Sequence, residues 1–132
     1  MNALVATVEL TGLRVTLDRL LYQQLPPEKC SGRPHAFVYF LSIHNDTDVT
    51  VTIRGRKWVV THTDGSQLVV EGDGVVGETP TILPGKKFTY NSFHTIPTRE
   101  AVAEGAFIGL DEHGRRVLVR IMPFKLLVPD AV

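Results

Sequence analysis

Apolar and polar residues alternate along much of this chain, and this period of two restricts its fold more than any other feature. The pattern recurs in four segments, at 13–18, 49–53, 87–91 and 116–121. Successive side chains of an extended strand point to opposite faces, so each segment would place one face on a core and the other in water. The run Ala36–Ile43 is apolar on both faces, which is typical of a central strand.

Turn-forming residues separate these segments at short intervals, because Gly and Asn tolerate positive φ and Pro restricts φ. Thr98–Ala103 is the best candidate for a short helical turn, with Thr98 as its cap. About seven or eight strands are predicted, the last two forming a hairpin: 7–22, 35–45, 48–54, 56–63, 67–71, 86–94, 105–110 and 115–122. This number and spacing predict an all-β antiparallel sandwich or small barrel.

Two further features concern the core of this predicted fold. Trp58 is the only tryptophan and lies within a strand pattern beside Val60, so we expect it to be a buried anchor. The tail 123–132 carries four large apolar residues, and we expect it to pack as a last strand that Pro129 ends.

Composition bounds the class of protein and its partners. The chain has 132 residues, 43% of them hydrophobic, and is predicted to form a single domain over 1–132 with its core at about 7–129. Lys and Arg total 14, as do Asp and Glu, so neither nucleic acid nor a membrane is expected as a partner. The single cysteine, Cys30, excludes an internal disulfide and favours a cytoplasmic location, and the N-terminus lacks the basic start of a signal peptide.

The most conspicuous segment is Glu71–Pro80, which contains three glycines spaced as G-x-G-x-x-G: Gly72, Gly74 and Gly77. In dinucleotide-binding folds this pattern opens a helix whose N-terminal amides hold a pyrophosphate. Prolines at 80 and 84 exclude such a helix here, and the acidic side chains of Glu71, Asp73 and Glu78 would repel a phosphate. We expect a glycine-shaped loop that crosses between the two sheets, with a small anion nest as the alternative.

The same loop, followed by Leu83-Pro84-Gly85 and a strand with Phe88 and Tyr90, resembles the ApaG family, also called DUF525. Upstream, Tyr39–Asn45 is similar to the family's Y-x-I-x-I-x-N strand, and Val49–Trp58 is similar to its L-x-x-R-x-W strand. Pro123–Pro129 is similar to its closing P-P-F-x-L motif. The resemblance spans about residues 7–129, although the proline-containing loop at 23–34 has no counterpart in these motifs.

The resemblance implies an immunoglobulin- or fibronectin type III-like sandwich with no established enzymatic activity. It also implies a loose link to cobalt tolerance and magnesium efflux in bacteria. In eukaryotes the same domain is a module of an F-box protein and of a polymerase-delta-interacting protein, which implies protein binding. A pyrophosphate has been proposed as the ligand of the family's glycine loop.

Other groups of polar residues contain side chains of the types found in metal and catalytic sites. His44, Asp46 and Asp48 could hold a divalent ion, but Asn45 and Asp46 also favour a plain polar turn. Histidines stand near Ser66, Ser92 and Thr95, yet the spacing supplies neither a buried acid nor an oxyanion hole. We therefore predict no catalytic residue, no metal site and no cofactor, and a chain that is not an enzyme.

A basic group precedes the tryptophan, and strand alternation predicts that Arg54 and Arg56 share a face. With Lys57, Lys86 and Lys87 they could form a positive patch that receives an acidic peptide. Because the patch lacks interleaved exposed aromatic residues, we expect a protein partner rather than nucleic acid.

The prediction is thus a non-catalytic binding module that contacts a protein partner. Its expected contact residues are Gly72, Gly74, Gly77, Glu78, Arg54, Arg56 and Lys57. The alternative is a binder of pyrophosphate, nucleotide or divalent metal through Gly72–Gly77. Pairing of an exposed edge strand could make a homo-oligomer.

Overall fold

The structure is a computed structural model that describes residues 6–130, and this part of the chain forms nine strands and one short helix. In chain order the elements are β1 (Thr7–Val8), β2 (Leu13–Gln24), α1 (Pro27–Cys30), β3 (His35–Asn45), β4 (Val51–His62), β5 (Gln67–Asp73), β6 (Thr81–Ile82), β7 (Lys86–Ile96), β8 (Glu100–Asp111) and β9 (Arg116–Leu127). No helix among the described residues is long and apolar enough to cross a membrane.

The strands form two sheets. The first has the order β1-β9-β8-β4-β5, with β6 also paired to β4, and the second has the order β2-β3-β7. β1 runs parallel to β9, and the other pairs are antiparallel. The all-β sandwich predicted from the alternation is therefore confirmed, with the run Ala36–Ile43 in the central strand of the second sheet.

The hydrophobic core lies between the sheets. Phe37, Leu41 and Ile43 of β3 face Ile53 of β4 and Phe107 of β8 in a single cluster of buried residues. Trp58 belongs to the same cluster and is 1% exposed, which confirms the predicted anchor. The buried amide of Asn45 ties the end of β3 to the other sheet, because its Nδ2 donates to the carbonyls of Val49 and Ile82, both at 2.8 Å.

Several element boundaries differ from the prediction. The predicted strand 7–22 is two strands, because Gly12 adopts a φ of 97° and turns the chain against the backbone of Asp46. The predicted strands 48–54 and 56–63 are one strand, β4, whose register with β8 shifts between Ile53 and Gly55. Arg54 is thus an extra residue at a β-bulge, and the strand continues through it.

Three other segments also differ. The predicted helical turn at 98–103 is wrong, since Thr98 Oγ1 donates to the carbonyl of Glu100 at 2.8 Å and β8 starts there. The tail is not a separate strand, because β9 runs through Pro123 to Leu127. The loop at 23–34 is shorter than predicted: β2 continues to Gln24, and α1 supplies one helical turn before β3.

Candidate functional site

The glycine loop stays on the edge of the first sheet. β5 and β6 pair with successive parts of β4, and the loop between them follows the bulge at Arg54. The amide of Gly74 donates to the carbonyl of Arg54 at 2.7 Å, and the amide of Ile53 donates to that of Pro80 at 2.9 Å. The prediction that this loop crosses between the sheets is therefore wrong. The crossing comes later, at residues 83–85, because the edge of β4 is long enough to pair with both strands.

The loop closes as a tight turn. It does not open a helix, in agreement with the prolines at 80 and 84. The amide of Val75 donates to the carbonyl of Glu78 at 2.7 Å, and the reverse bond measures 2.9 Å. Both central residues have positive φ, 44° at Val76 and 80° at Gly77, as in a type I′ turn. Val75 is fully buried and anchors the turn in the core, whereas 49% of Val76 is exposed at its tip.

Gly72 and Gly74 are required for different steric reasons. Gly74 has a φ of 64°, and a Cβ there would lie 2.2 Å from the carbonyl oxygen of Glu78. Gly72 lies opposite Arg56, whose guanidinium passes over it and donates to the carbonyls of Asp73 at 2.8 Å and Gly74 at 3.3 Å. A Cβ on Gly72 would lie 2.7 Å from Arg56 Nη1. Gly72 and Arg56 were both predicted as contact residues, but the sequence did not show that Gly72 leaves room for the Arg56 guanidinium.

The structure separates the basic residues that could have formed a positive patch. After the bulge, Arg56 lies on the core-facing side with Trp58, while Lys57 lies on the outer face, where its Nζ is 3.4 Å from Glu71 Oε1. Lys86 and Lys87 belong to the second sheet, where they pair with Asn45 and His44. The extra residue at Arg54 interrupts the alternation on which the prediction depended.

A shallow groove of about 540 Å³ lies on the outer face of the first sheet, beside the loop. Gly55 lacks a side chain at its floor, and its walls include Lys57, Glu71, Asp73 and Ile108, of which Ile108 is 42% exposed. Both signs of charge and an apolar side chain therefore meet at one place. A groove of this kind complements a protein surface that carries charged and apolar side chains better than it complements a polyanion.

Three of the loop amides already have partners within the chain. Those of Gly74, Val75 and Glu78 already donate to carbonyls of the chain, at 2.7, 2.7 and 2.9 Å. The acidic side chains at 71, 73 and 78 stand in the same region. The arrangement does not favour an anion nest.

The polar turn at His44–Asp48 is held by bonds within the sheet. His44 Nε2 lies 2.9 Å from Thr16 Oγ1, and Asp46 Oδ2 accepts from Arg14 Nε at 3.2 Å. In the part of the chain from 6 to 130, no three His, Cys, Asp or Glu side chains are grouped so that they could hold a metal ion.

A buried cluster of polar aromatic residues between the sheets was not anticipated. His94 stacks on Tyr39 with ring centroids 4.8 Å apart and meets the edge of Trp58 at 4.6 Å. Burial lowers the pKa of His94 to about 4 and raises the pKa of Tyr90. Alternation in the strand that became β7 placed Tyr90 on an inner face, but nothing in the sequence indicated that these side chains meet.

Comparison with known proteins identifies the family. The ApaG domain (DUF525) model matches residues 27–110. Protein ApaG of Vibrio cholerae serotype O1 is 40% identical over 114 residues, covering 86% of this chain and 88% of that protein. Protein ApaG of Deinococcus radiodurans is 40% identical over 106 residues, covering 80% and 83%.

Solved structures agree with this assignment. The X-ray structure of Northeast Structural Genomics Consortium target SoR45 superposes with a TM-score of 0.83 at 27% identity, covering 96% of this chain and 93% of that one. The crystal structure of the putative ApaA protein from Bordetella pertussis gives 0.72 at 27% identity, covering 88% and 94%. Both the sequence and the fold therefore place this chain in the ApaG domain family.

Proposed function

We propose that this ApaG domain is a non-catalytic, cytoplasmic protein-binding module whose partner contacts the glycine loop and the neighbouring outer face of β4 and β5. In this proposal the residues at the contact are Arg54, Lys57, Gly72–Glu78 and the groove over Gly55. Arg56 acts from the inner side by holding the carbonyls of the loop. The link of the family to cobalt and magnesium then operates through the partner protein.

The observation that carries the proposal is the conformation of Val76. A β-branched residue with a φ of 44° is strained, and Asn or Gly is the usual choice at this position of a two-residue turn. Backbone strain of this kind amounts to roughly 1–3 kcal/mol and is typical of functional positions. Here it presents an apolar side chain, 49% exposed, at the tip of a turn that Val75 anchors in the core.

The surroundings of Val76 favour a protein as the partner. Lys57, Glu71 and Asp73 line the adjoining groove, so a polyanion would meet repulsion as well as attraction. Ile108 adds a second exposed apolar side chain in the adjoining groove. An apolar contact surrounded by charges of both signs resembles the centre and rim of a protein–protein interface.

The test is capture of partners on immobilised protein, followed by cross-linking and mass spectrometry. Val76→Asn removes the apolar tip and suits the left-handed backbone, so we expect it to lose the cross-linked partner while its stability stays equal or rises. Met122→Gln is the matched control, because Met122 is 69% exposed on a different strand, β9, and its loss leaves the loop unchanged. Equal recovery of cross-links to the loop by wild type and Val76→Asn would contradict the proposal.

The small-molecule alternative is separated by thermal unfolding with pyrophosphate, a nucleotide panel and Co²⁺. A ligand at a hundred times its dissociation constant would add about 2.7 kcal/mol of stability. If one of them stabilises the wild type and Gly74→Ala abolishes the effect, the glycine loop binds that ligand and the proposal is replaced.

A further inference from the structure

Each sheet of this sandwich is open and therefore has two edges. The first sheet ends at β1 with β9 on one side and at β5 with β6 on the other, and the second sheet ends at β2 and at β7. An edge strand presents unpaired N–H and C=O groups that can pair with another chain. Natural sheets usually carry features that prevent this, such as bulges, charges, prolines and short strands.

Three of the four edges carry such features. β9 is covered at Arg116 and Val117 by β1 and contains Pro123. β2 shifts register between Leu17 and Arg19. The remaining edge has only seven residues in β5, and Arg56 donates to the carbonyl of Asp73 at its end.

The edge of β7 carries such features only at its first two residues. Its eleven residues, Lys86–Ile96, pair with β3 without a register shift, and the strand contains no proline. Its charged residues, Lys86 and Lys87, are the first two, so the segment 90–96 has no Lys, Arg, Asp or Glu. β7 is therefore the longest regular edge of the described chain that is open to pairing.

An apolar row on the outer face leads to this edge. Leu21 of β2 lies opposite Val38 of β3, which lies opposite Phe93 of β7. Leu21 is 39% exposed and Phe93 is 62% exposed, so the row ends at the open edge with its largest and most exposed side chain. A single exposed apolar residue needs no explanation, but an aligned row that ends on an unprotected edge does.

We infer that β7 pairs with β7 of a second copy of this chain, antiparallel and with Phe93 opposite Phe93. The partner strand should be uncharged because segment 90–96 is uncharged, and the same segment of a second copy meets this condition. A parallel arrangement would set Lys86 and Lys87 of the two copies side by side. In the antiparallel one, these lysines lie beyond the paired segment at opposite ends.

The register follows from symmetry. In an antiparallel pair, two opposite residues both point their N–H and C=O groups at each other or both point them away. Two identical strands satisfy this when a twofold axis passes midway between the same residue of each strand, so that this residue faces its own copy. Placing the axis at Phe93 joins the two apolar rows into one and makes an aromatic pair across the strands, which is a favourable cross-strand contact.

One strand pair buries less surface than the roughly 1,200 Å² or more of a stable interface, so the dimer should be weak and concentration-dependent. Sedimentation velocity of the full chain from about 1 μM to about 1 mM spans the affinities expected for such a contact. The expected result is a rise from the mass of one chain to that of two. A single-chain mass at every concentration overturns the inference.

Two variants test the surface. Phe93→Glu would place two carboxylates opposite each other, and it should raise the dissociation constant at least about tenfold. Met122→Glu is the matched control, because Met122 is 69% exposed on β9, in the other sheet and away from the glycine loop. If Met122→Glu weakens the dimer and Phe93→Glu does not, β7 is not the interface. Circular dichroism confirms that both variants fold.

Cross-linking tests the register. In a Cys30→Ser background, Phe93→Cys should form an intermolecular disulfide under mild oxidation, because opposite residues of an antiparallel pair are close enough for one. Asn91→Cys should not, since residue 91 would face residue 95 of the second copy. Efficient cross-linking of Asn91→Cys without that of Phe93→Cys would overturn the register. None of these variants alters the glycine loop, so the inference and the proposed function fail independently.

Discussion

Replacing Gly74 by Ala should destabilise the domain more than replacing Gly77, although both glycines have positive φ in the same loop. Gly74 has a φ of 64° and Gly77 a φ of 80°, so an Ala at either site is forced into the left-handed region. The Cβ added at residue 74 would lie 2.2 Å from the carbonyl oxygen of Glu78, whereas the one at residue 77 has nothing within 4 Å. The loss of stability in Gly77→Ala thus measures only the cost of placing a residue with a Cβ in the left-handed backbone conformation.

The two effects have different sizes. Left-handed backbone at a residue with a Cβ costs about 1–2 kcal/mol, which is the whole effect expected for Gly77→Ala. At residue 74 the carbonyl of Glu78 must also move away from the amide of Val75, to which it is bonded at 2.7 Å. Val75 is fully buried, and a buried amide without a partner costs about 1–3 kcal/mol more. Gly74→Ala should therefore lose about 2–5 kcal/mol.

Urea unfolding followed by the fluorescence of the buried Trp58 gives both values by linear extrapolation. A typical domain has 5–15 kcal/mol of stability, so both variants should still fold. Equal losses for the two variants, or a larger loss for Gly77→Ala, would refute the argument that the close approach of Glu78 is what requires glycine at residue 74.

Three further predictions concern the loop support and the buried titrating groups. Gly72→Ala should destabilise the wild type but have a smaller effect in an Arg56→Ala background, because the added Cβ meets the Arg56 guanidinium. A double-mutant cycle by urea unfolding measures this coupling, and additive losses of stability would contradict the prediction. Burial lowers the pKa of His94 from 6.5 to about 4, so the unfolded chain binds more protons between these values; stability should fall by about 3 kcal/mol as pH drops from 6.5 to 4, and His94→Phe should flatten this dependence in chemical unfolding at several pH values. Burial alone would raise the pKa of Asp111, but hydrogen bonds from the amide and guanidinium of Arg115 and the amide of His113 lower this pKa overall. The ionised Asp111 therefore stabilises the fold above the unfolded pKa, and this stabilisation is lost in acid. Asp111→Asn should lower the melting temperature at pH 7 more than at pH 3.

The strand pattern and the buried anchor could be predicted because each depends on neighbouring residues. Alternation in β2, β4, β7 and β9 placed the inner and outer faces correctly wherever the strand was regular, and Trp58 was expected in the core as a large aromatic residue beside Val60 in a strand pattern. The failures occur at irregularities. The bulge at Arg54 adds one residue to the strand, so the alternation that put Arg56 on the same face as Arg54 was wrong.

The candidate site was recognised in its glycines and misjudged in its position. Spacing showed that Gly72, Gly74 and Gly77 belong together, and the prolines showed that no helix follows. That Arg56 lies over Gly72 and holds the loop carbonyls depends on the register between β4 and β5. That register is a relation between residues far apart in sequence, and a motif spacing contains no information on it.

The sequence by itself determined that the chain forms strands, which side chains of a regular strand turn to the core, and that the glycine segment does not open a helix. These properties follow from the geometry of successive residues along one strand. Only the tertiary structure decided that β5 and β6 share one edge of β4, that the lysines of β7 lie on the other sheet, and that β7 is left open. Hydrogen bonds between distant strands determine these features, and they depend on how the whole core packs.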